Sequence, residues 1–318
     1  MQAVRFHTYG AADVLRIETV AQPRPRRDEV LIRVAASSLN PADIGGRSGA
    51  MRLIHARRLP HTPGYDVVGE IVACGPAATA FVTGERVWAM VGLGAGAQAE
   101  YVAVPQARVA AAPSRLSDLE AAAVPLAGLT ALQALRRKGR LRGGERVLVT
   151  GAAGGVGSFA VQLAKLLRCK VSAVCRPAHV ETVRGLGADA VGDRLDDPAI
   201  RRGAPWDLIL DAAGMLPFAA AQRDLAPGGI MSSPTGRPQD MIRGAASRLQ
   251  GGPRYAFVIT QASGPDLALL ARLADRGALR PLVDRVFDLA EIQAAHRYFE
   301  QGGKAGKIVI RVAAPRAD

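Results

Sequence analysis

One stretch restricts this chain more than any other: Val147-Leu-Val-Thr-Gly151-Ala-Ala-Gly154-Gly155-Val-Gly157, running on through Ser158 to Lys165. An apolar strand that turns on glycines straight into a helix brings backbone N–H groups and the positive end of the helix dipole to one point. That point suits a diphosphate. Against the pattern GxGxxG, Ala152 stands at the first glycine, Gly154 lets a phosphate approach the backbone, and Gly157 lets helix and strand pack closely. A glycine cluster alone also fits a plain strand-to-helix turn. Here the strand before it, a helix over Val156 to Leu167 and a second strand, Val171 to Cys175, complete a βαβ unit, so the stretch reads as dinucleotide binding.

The rest of the chain supplies the matching organisation. Its 318 residues suffice for about two domains, and 49% hydrophobic against 22% charged residues suits buried cores rather than disorder. Short apolar runs with turn residues between them (Val30–Val34, Val67–Val72, Arg86–Met90, Ala99–Val104) predict a mostly β domain over residues 1–118. From there to residue 257, strands alternate with helices as in a doubly wound parallel sheet, a Rossmann-type α/β domain. Residues 258–318, with helices at Asp266–Arg276 and Ala290–Glu300 and a last strand at Lys307–Val312, are expected to complete the first domain. Ser233 to Pro253, rich in Gly, Pro and Arg, reads as a loop.

Several classes drop out. No apolar run approaches the roughly 20 residues of a membrane span, and the start, Met1-Gln-Ala-Val-Arg-Phe-His-Thr, has no secretory pattern, so a cytoplasmic protein is expected. Cys74, Cys169 and Cys175 form no CxxC pair and read as free thiols. The net charge of +13 invites a nucleic-acid partner, but the cations are scattered and only 4% of residues are aromatic, which favours a solvated Arg-rich surface.

Cofactor type follows from the end of the second Rossmann strand, Ala173-Val-Cys175-Arg176-Pro-Ala-His179. The carboxylate that would bind a free ribose 2′-hydroxyl is missing, and Arg176 suits a 2′-phosphate, which points to NADPH. A plain solvated arginine is the competing reading.

With these residues in view the chain resembles the zinc-independent quinone oxidoreductases, including zeta-crystallin, of the medium-chain dehydrogenase/reductase superfamily. The resemblance rests on Ser38-Leu-Asn-Pro-Ala-Asp43, Pro63-Gly-Tyr-Asp-Val-Val-Gly-Glu70, Gly84-Glu-Arg-Val87, Ala122 to Ala131, the glycine turn, Leu186 to Asp189, Asp211-Ala-Ala-Gly214, Leu225 to Gly229 and Gly306 to Ile310. It implies a GroES-like domain around a Rossmann domain, an active site in the cleft between them, and a homodimer joined by Rossmann edge strands. It also implies that Asn40 and Thr130 lie near the nicotinamide half, that Gly154, Gly155 and Val156 hold the diphosphate, that Gly214 lies beside the bridge, and that Phe257 and Val258 flank the carboxamide. Asn40 before Pro41 also fits a turn, and Thr130 a buried helix hydroxyl.

Metal-dependent relatives use a Cys near Asn40 and a Gly-His-Glu where this chain has Gly64-Tyr65-Asp66, so zinc chemistry is not expected. Gly45 occupies a position where several relatives have a substrate-facing tyrosine. The expected activity is hydride transfer from NADPH to a quinone or similar conjugated carbonyl. Reduction of an alkenal or enone double bond is the alternative, and an NADPH-binding protein that engages RNA or another partner without turnover is the reading from another class. Asn40 is the candidate to stabilise developing negative charge, Tyr65 faces either substrate or core, and Asp43 is expected to orient backbone or Arg47. Loops at Ala50–Arg58 and Ser233–Pro253 are expected to wall the pocket.

Overall fold

The computed structural model describes residues 1–52, 59–92, 94 and 96–312; most of the expected Ala50–Arg58 wall lies outside them. The chain divides into two compact units, Met1–Leu126 with Ala262–Gly277 and Pro281–Asp318, and Ala127–Gln261 with Ala278–Arg280.

In the first unit β1 (Gln2–Arg5) and β2 (Arg16–Thr19) form an antiparallel ribbon. The main sheet contains β3 (Glu29–Ser38), β4 (Asp66–Cys74), β5 (Arg86–Met90), β6 (Tyr101–Pro105), β7 (Val109–Ala111), β14 (Val283–Asp288) and β15 (Lys307–Arg311), in the order β14-β15-β3-β4-β5-β7 with β6 on β3. Side chains alternate across a strand, and the alternate positions Val30, Ile32 and Val34 of β3 enter one core with Val67, Val87 and Val102. A second core joins the two ends of the chain, Phe6, Leu15 and Leu39 packing with Phe287, Ile292 and Ile308.

Register decides what meets at the end of β3. Val309 pairs with Ser38 and Val68 with Ala36, both antiparallel. The first residues of β15 and β4, Lys307 and Asp66, therefore converge on Ser38–Asn40.

The second unit is a parallel sheet of β8 (Arg146–Thr150), β9 (Lys170–Val174), β10 (Ala190–Gly192), β11 (Trp206–Asp211), β12 (Leu225–Ser233) and β13 (Arg254–Phe257), ordered β10-β9-β8-β11-β12-β13. The order reverses at β8, and the crevice beyond the strand ends at such a switch point is where α/β sheets bind ligands. The helix Gly155–Leu166 starts there. Gly157 makes its approach possible: a Cβ on it would lie 2.2 Å from Gly151 O.

The loop expected over Ser233–Pro253 is largely a helix, Pro238–Leu249, starting on a proline. Its buried positions are Asp240, Gly244 and Ser247. None is a large apolar residue, so hydrophobic periodicity has nothing to register. The helix packs all the same, because Gly244 lies against Tyr255, where a Cβ would come within 2.3 Å of the tyrosine Cβ. Among the described residues no helix is long and apolar enough to cross a membrane.

Candidate active site and cofactor cradle

In the first unit a closed polar network fills the point where β3, β4 and β15 converge. Asn40 opens the helix Pro41–Ser48, and Asp43 reaches back to accept from Asn40 N at 2.9 Å and from Gly64 N at 2.7 Å. The Asn40 side chain donates from Nδ2 to Asp66 Oδ2 at 2.8 Å and to Asp43 Oδ2 at 3.4 Å, and its Oδ1 accepts from Lys307 Nζ at 2.5 Å. Lys307 also donates to Leu39 O at 2.9 Å and to Asp66 Oδ2 at 3.4 Å. Ser38 Oγ and Leu126 N complete the shell of Asp66, donating at 2.5 and 2.6 Å. All five side chains, Ser38, Asn40, Asp43, Asp66 and Lys307, are buried, none more than 5% exposed.

Two carboxylates and one ammonium thus share a site shielded from water. Burial pushes the Asp43 pKa up to about 7; the N–H groups of Gly64 and Asn40 oppose the rise and Asp66 adds to it. Burial likewise pulls the Lys307 pKa down, against the attraction of Asp66 and Asp43. Every bond to Asp43 comes from a donor, so the bonding favours its carboxylate. Both amide hydrogens of Asn40 point at carboxylates, leaving one lone pair on Oδ1 for anything beyond the network.

Of the two expected roles for Asp43 the structure has the backbone one. Arg47 instead donates to Glu300 Oε1 at 2.5 Å and to Gly10 O at 3.0 Å. Tyr65, 3% exposed, adjoins Asp66 in sequence, and its carbonyl accepts from Val91 N at 2.9 Å. Sequence reasoning assigned no role to Asp66 or Lys307. The available signal was a charge directly before an apolar run in each case, Asp66-Val-Val and Lys307-Ile-Val-Ile.

In the second unit Gly154 caps the helix Gly155–Leu166 without a side chain. Among the described residues no backbone acceptor meets the N–H groups of residues 155–157, the orphan donors of a helix start. Ala152 N donates to Val174 O at 3.0 Å and so ties the glycine turn to the end of β9. Two residues beyond Val174 is Arg176, exposed and in no ion pair among the described residues. On the other side of β8, Asp211 accepts from Thr150 Oγ1 at 2.6 Å and from the N–H groups of Gly214 and Leu216 at 3.1 and 3.0 Å. This buried carboxylate fixes Gly214 beside the glycine turn, a role the sequence did not disclose. Thr130 and Thr260 share a hydroxyl hydrogen bond of 2.7 Å, which joins the helix Pro125–Gln133 to the segment after β13. Val258 N donates to Ser233 O at 2.9 Å, and the Phe257 ring packs against Gly236, where a Cβ would lie 2.9 Å from it.

These residues would fit a dinucleotide: the amides at the side-chain-free helix start would hold a diphosphate, and the Arg176 guanidinium, in no ion pair among the described residues, would face the adenosine ribose. Among the described residues no three His, Cys, Asp or Glu side chains are grouped to hold a metal ion.

Known proteins share this architecture. Residues 26–114 match the family described as Alcohol dehydrogenase GroES-like domain, and residues 186–310 the family described as Zinc-binding dehydrogenase. The chloroplastic quinone-oxidoreductase homolog of Spinacia oleracea is 33% identical over 98% of this chain and 98% of its own. The chloroplastic NADPH-dependent alkenal/one oxidoreductase of Arabidopsis thaliana is also 33% identical, over 98% of this chain and 79% of its own. The structure of the quinone oxidoreductase from Coxiella burnetii superposes with a TM-score of 0.87 at 30% identity, covering 98% of this chain and 99% of the other. With a GroES-like sheet, a parallel dinucleotide-type sheet and relatives matched almost end to end, the chain belongs to the quinone oxidoreductase-like family of medium-chain dehydrogenases/reductases and is an NAD(P)H-dependent oxidoreductase of that group.

Proposed function

We propose that the protein reduces quinones, or conjugated carbonyl compounds like them, with NADPH and without zinc. The observation that carries the cofactor choice is Arg176, exposed, outside any ion pair among the described residues, and at a strand end that lacks a carboxylate. A guanidinium there binds a 2′-phosphate with charge-assisted hydrogen bonds, whereas NAD would have only hydroxyls to offer it. The bound nicotinamide would supply a hydride from C4. The chain's own contribution is placement: the N–H groups of Gly155 and Val156 and the helix dipole hold the diphosphate, with Gly154 giving the phosphates room. Thr130 is assigned to the nicotinamide half, Gly214 to the bridge, and Phe257 and Val258 to the carboxamide.

Asn40 and Tyr65 are assigned to the acceptor. Because its amide hydrogens are engaged, Asn40 serves an oxyanion by releasing its long 3.4 Å bond to Asp43; its free Oδ1 lone pair suits an amide donor such as a carboxamide. An accepting oxygen at the surface of the site takes its proton from water, so no side chain has to be a dedicated acid.

Double-bond reduction of an alkenal or enone is the second reading, favoured by the alkenal/one oxidoreductase that is as similar in sequence as the quinone-oxidoreductase homolog. Both are tested by following NADPH and NADH consumption with a panel of quinones and a panel of enals and enones, with product analysis. Turnover confined to quinones supports the first reading, and a saturated carbonyl product supports the second. NADPH binding without turnover of any acceptor, or equal use of NADH, refutes the proposal.

A further inference from the structure

In a parallel α/β sheet every connection entering a strand lies at one end of the sheet, opposite the end that carries the glycine turn. In the Ala127–Gln261 unit that end collects the scattered cations. Arg140 and Arg142 precede β8, Arg168 and Lys170 lie at the start of β9, Arg202 precedes β11, and Arg248 precedes β13; all six are exposed. Among the described residues none of the six is in an ion pair, while the carboxylates at the same end are engaged. Asp189 binds Lys165 at 2.7 Å, Asp207 accepts from Arg146 N at 2.8 Å, and Asp224 binds Arg201 at 2.6 Å. Glu145 accepts from the N–H groups of Arg142 and Gly143 at 2.8 and 2.7 Å. From β9 to β13 the sheet order takes four steps, so the row of cations extends about 19 Å at ordinary strand spacing.

Two leucines break this charged end. Leu249 is 90% exposed beside Arg248, and Leu166 is 44% exposed two residues before Arg168. Helix dipoles favour a cation at each helix C-terminus, which accounts for Arg168 and Arg248 one at a time. They account neither for the engagement of these carboxylates nor for an almost bare leucine next to the charge.

We propose that this end of the parallel sheet docks on an anionic phospholipid surface, the cations meeting the headgroups while Leu249 and Leu166 enter the acyl boundary. Six cations fall within the range of clusters that hold proteins to acidic lipid, and exposed leucines are stabilised by leaving water. A nucleic acid would use the same cations but has no use for the leucines, and it would need aromatic platforms for its bases. Among the described residues the large exposed apolar side chains at this end are leucines, with no aromatic among them. The proposed attachment is through this surface; among the described residues no helix is long and apolar enough to cross a membrane.

The full-length protein is co-sedimented with vesicles of phosphatidylcholine alone or containing one third phosphatidylglycerol, at low and high salt. Binding is expected only to the anionic vesicles and is expected to fall at high salt. Arg140→Gln/Arg142→Gln/Arg168→Gln should lower the partition coefficient about a hundredfold, roughly fivefold for each cation. Leu249→Ser should lower it several-fold without changing the salt slope. Both variants should keep the wild-type Tm and NADPH consumption, because all four side chains are exposed and lie at the sheet end opposite the glycine turn. Equal binding to neutral and anionic vesicles, no binding to either, or unchanged partition of the triple variant overturns the proposal. Tighter binding of a single-stranded nucleic acid than of vesicles at equal phosphate, unaffected by Leu249→Ser, reassigns the surface and likewise overturns it.

Discussion

Replacing Lys307 by Met removes the only ammonium from a network that holds two buried carboxylates. Three bonds are lost, to Leu39 O, Asn40 Oδ1 and Asp66 Oδ2. Breaking a buried ion pair from one side costs about 3–5 kcal/mol, because the remaining charge stays buried and uncompensated. That is a large part of the roughly 5–15 kcal/mol that holds a domain folded. The loss has a pH signature. Asp43 already has its pKa raised to about 7 from an ordinary 3.8, so the native state holds a proton that the unfolded chain has released. Stability from this group is fully present below pH 3.8 and is lost as pH rises through about 7. Without Lys307, which lowers that pKa, the window moves upward, and the Lys307→Met defect should be largest above neutrality and shrink as pH falls. Urea unfolding at mildly acidic and mildly basic pH measures this, in a Trp206→Phe background where buried Trp88 of β5 reports the first unit. Asp66→Asn/Lys307→Met should recover most of the loss, since it removes the stranded charge. A defect below about 1 kcal/mol at both pH values, or a double variant no better than the single one, would refute this account of the network.

Other expected outcomes follow from single contacts. His296 is fully buried with neither ring nitrogen hydrogen-bonded among the described residues, and burial together with the Arg47 cation pulls its pKa down from 6.5 to about 3. The unfolded chain therefore takes up a proton that the native state refuses, and stability is lost as pH falls from 6.5 toward 3; His296→Leu should gain about 2 kcal/mol over wild type at about pH 5 relative to neutral pH, read from denaturant midpoints. Arg176→Ala should raise the KM for NADPH about ten- to a hundredfold, the worth of hydrogen bonds to a charged phosphate, with the NADH value moving less than about twofold; parallel losses would remove the 2′-phosphate assignment. In Gly157→Ala a methyl meets Gly151 O at 2.2 Å, so the turn must shift, costing about 1–3 kcal/mol; NADPH fluorescence titration should show weakened binding even in the fraction that folds.

The glycine turn was legible because its signal is local. Strand, turn and helix are contiguous, and both periodicity and residue type carry it. The positions of Arg176 and Gly214 just past strand ends were legible for a related reason, since each follows a strand whose apolar run marks its end. The helix Pro238–Leu249 was not, because its buried face is made of Asp240, Gly244 and Ser247, and its packing depends on a tyrosine on the strand that follows it.

The network around Asn40 shows where sequence stops. Local sequence determined that Asn40 precedes Pro41, that Asp43 lies three residues on, and that Asp66 and Lys307 stand before apolar runs. Pairing of β15 with β3, across more than 260 residues, decided that Lys307 would meet Asn40 at all. The same holds for the cations of the parallel sheet: residue types fixed their number, and the common direction of six strands placed them at one end. Charge and hydrophobicity act between neighbours in space, and sequence reports those neighbours only where the chain itself keeps them close.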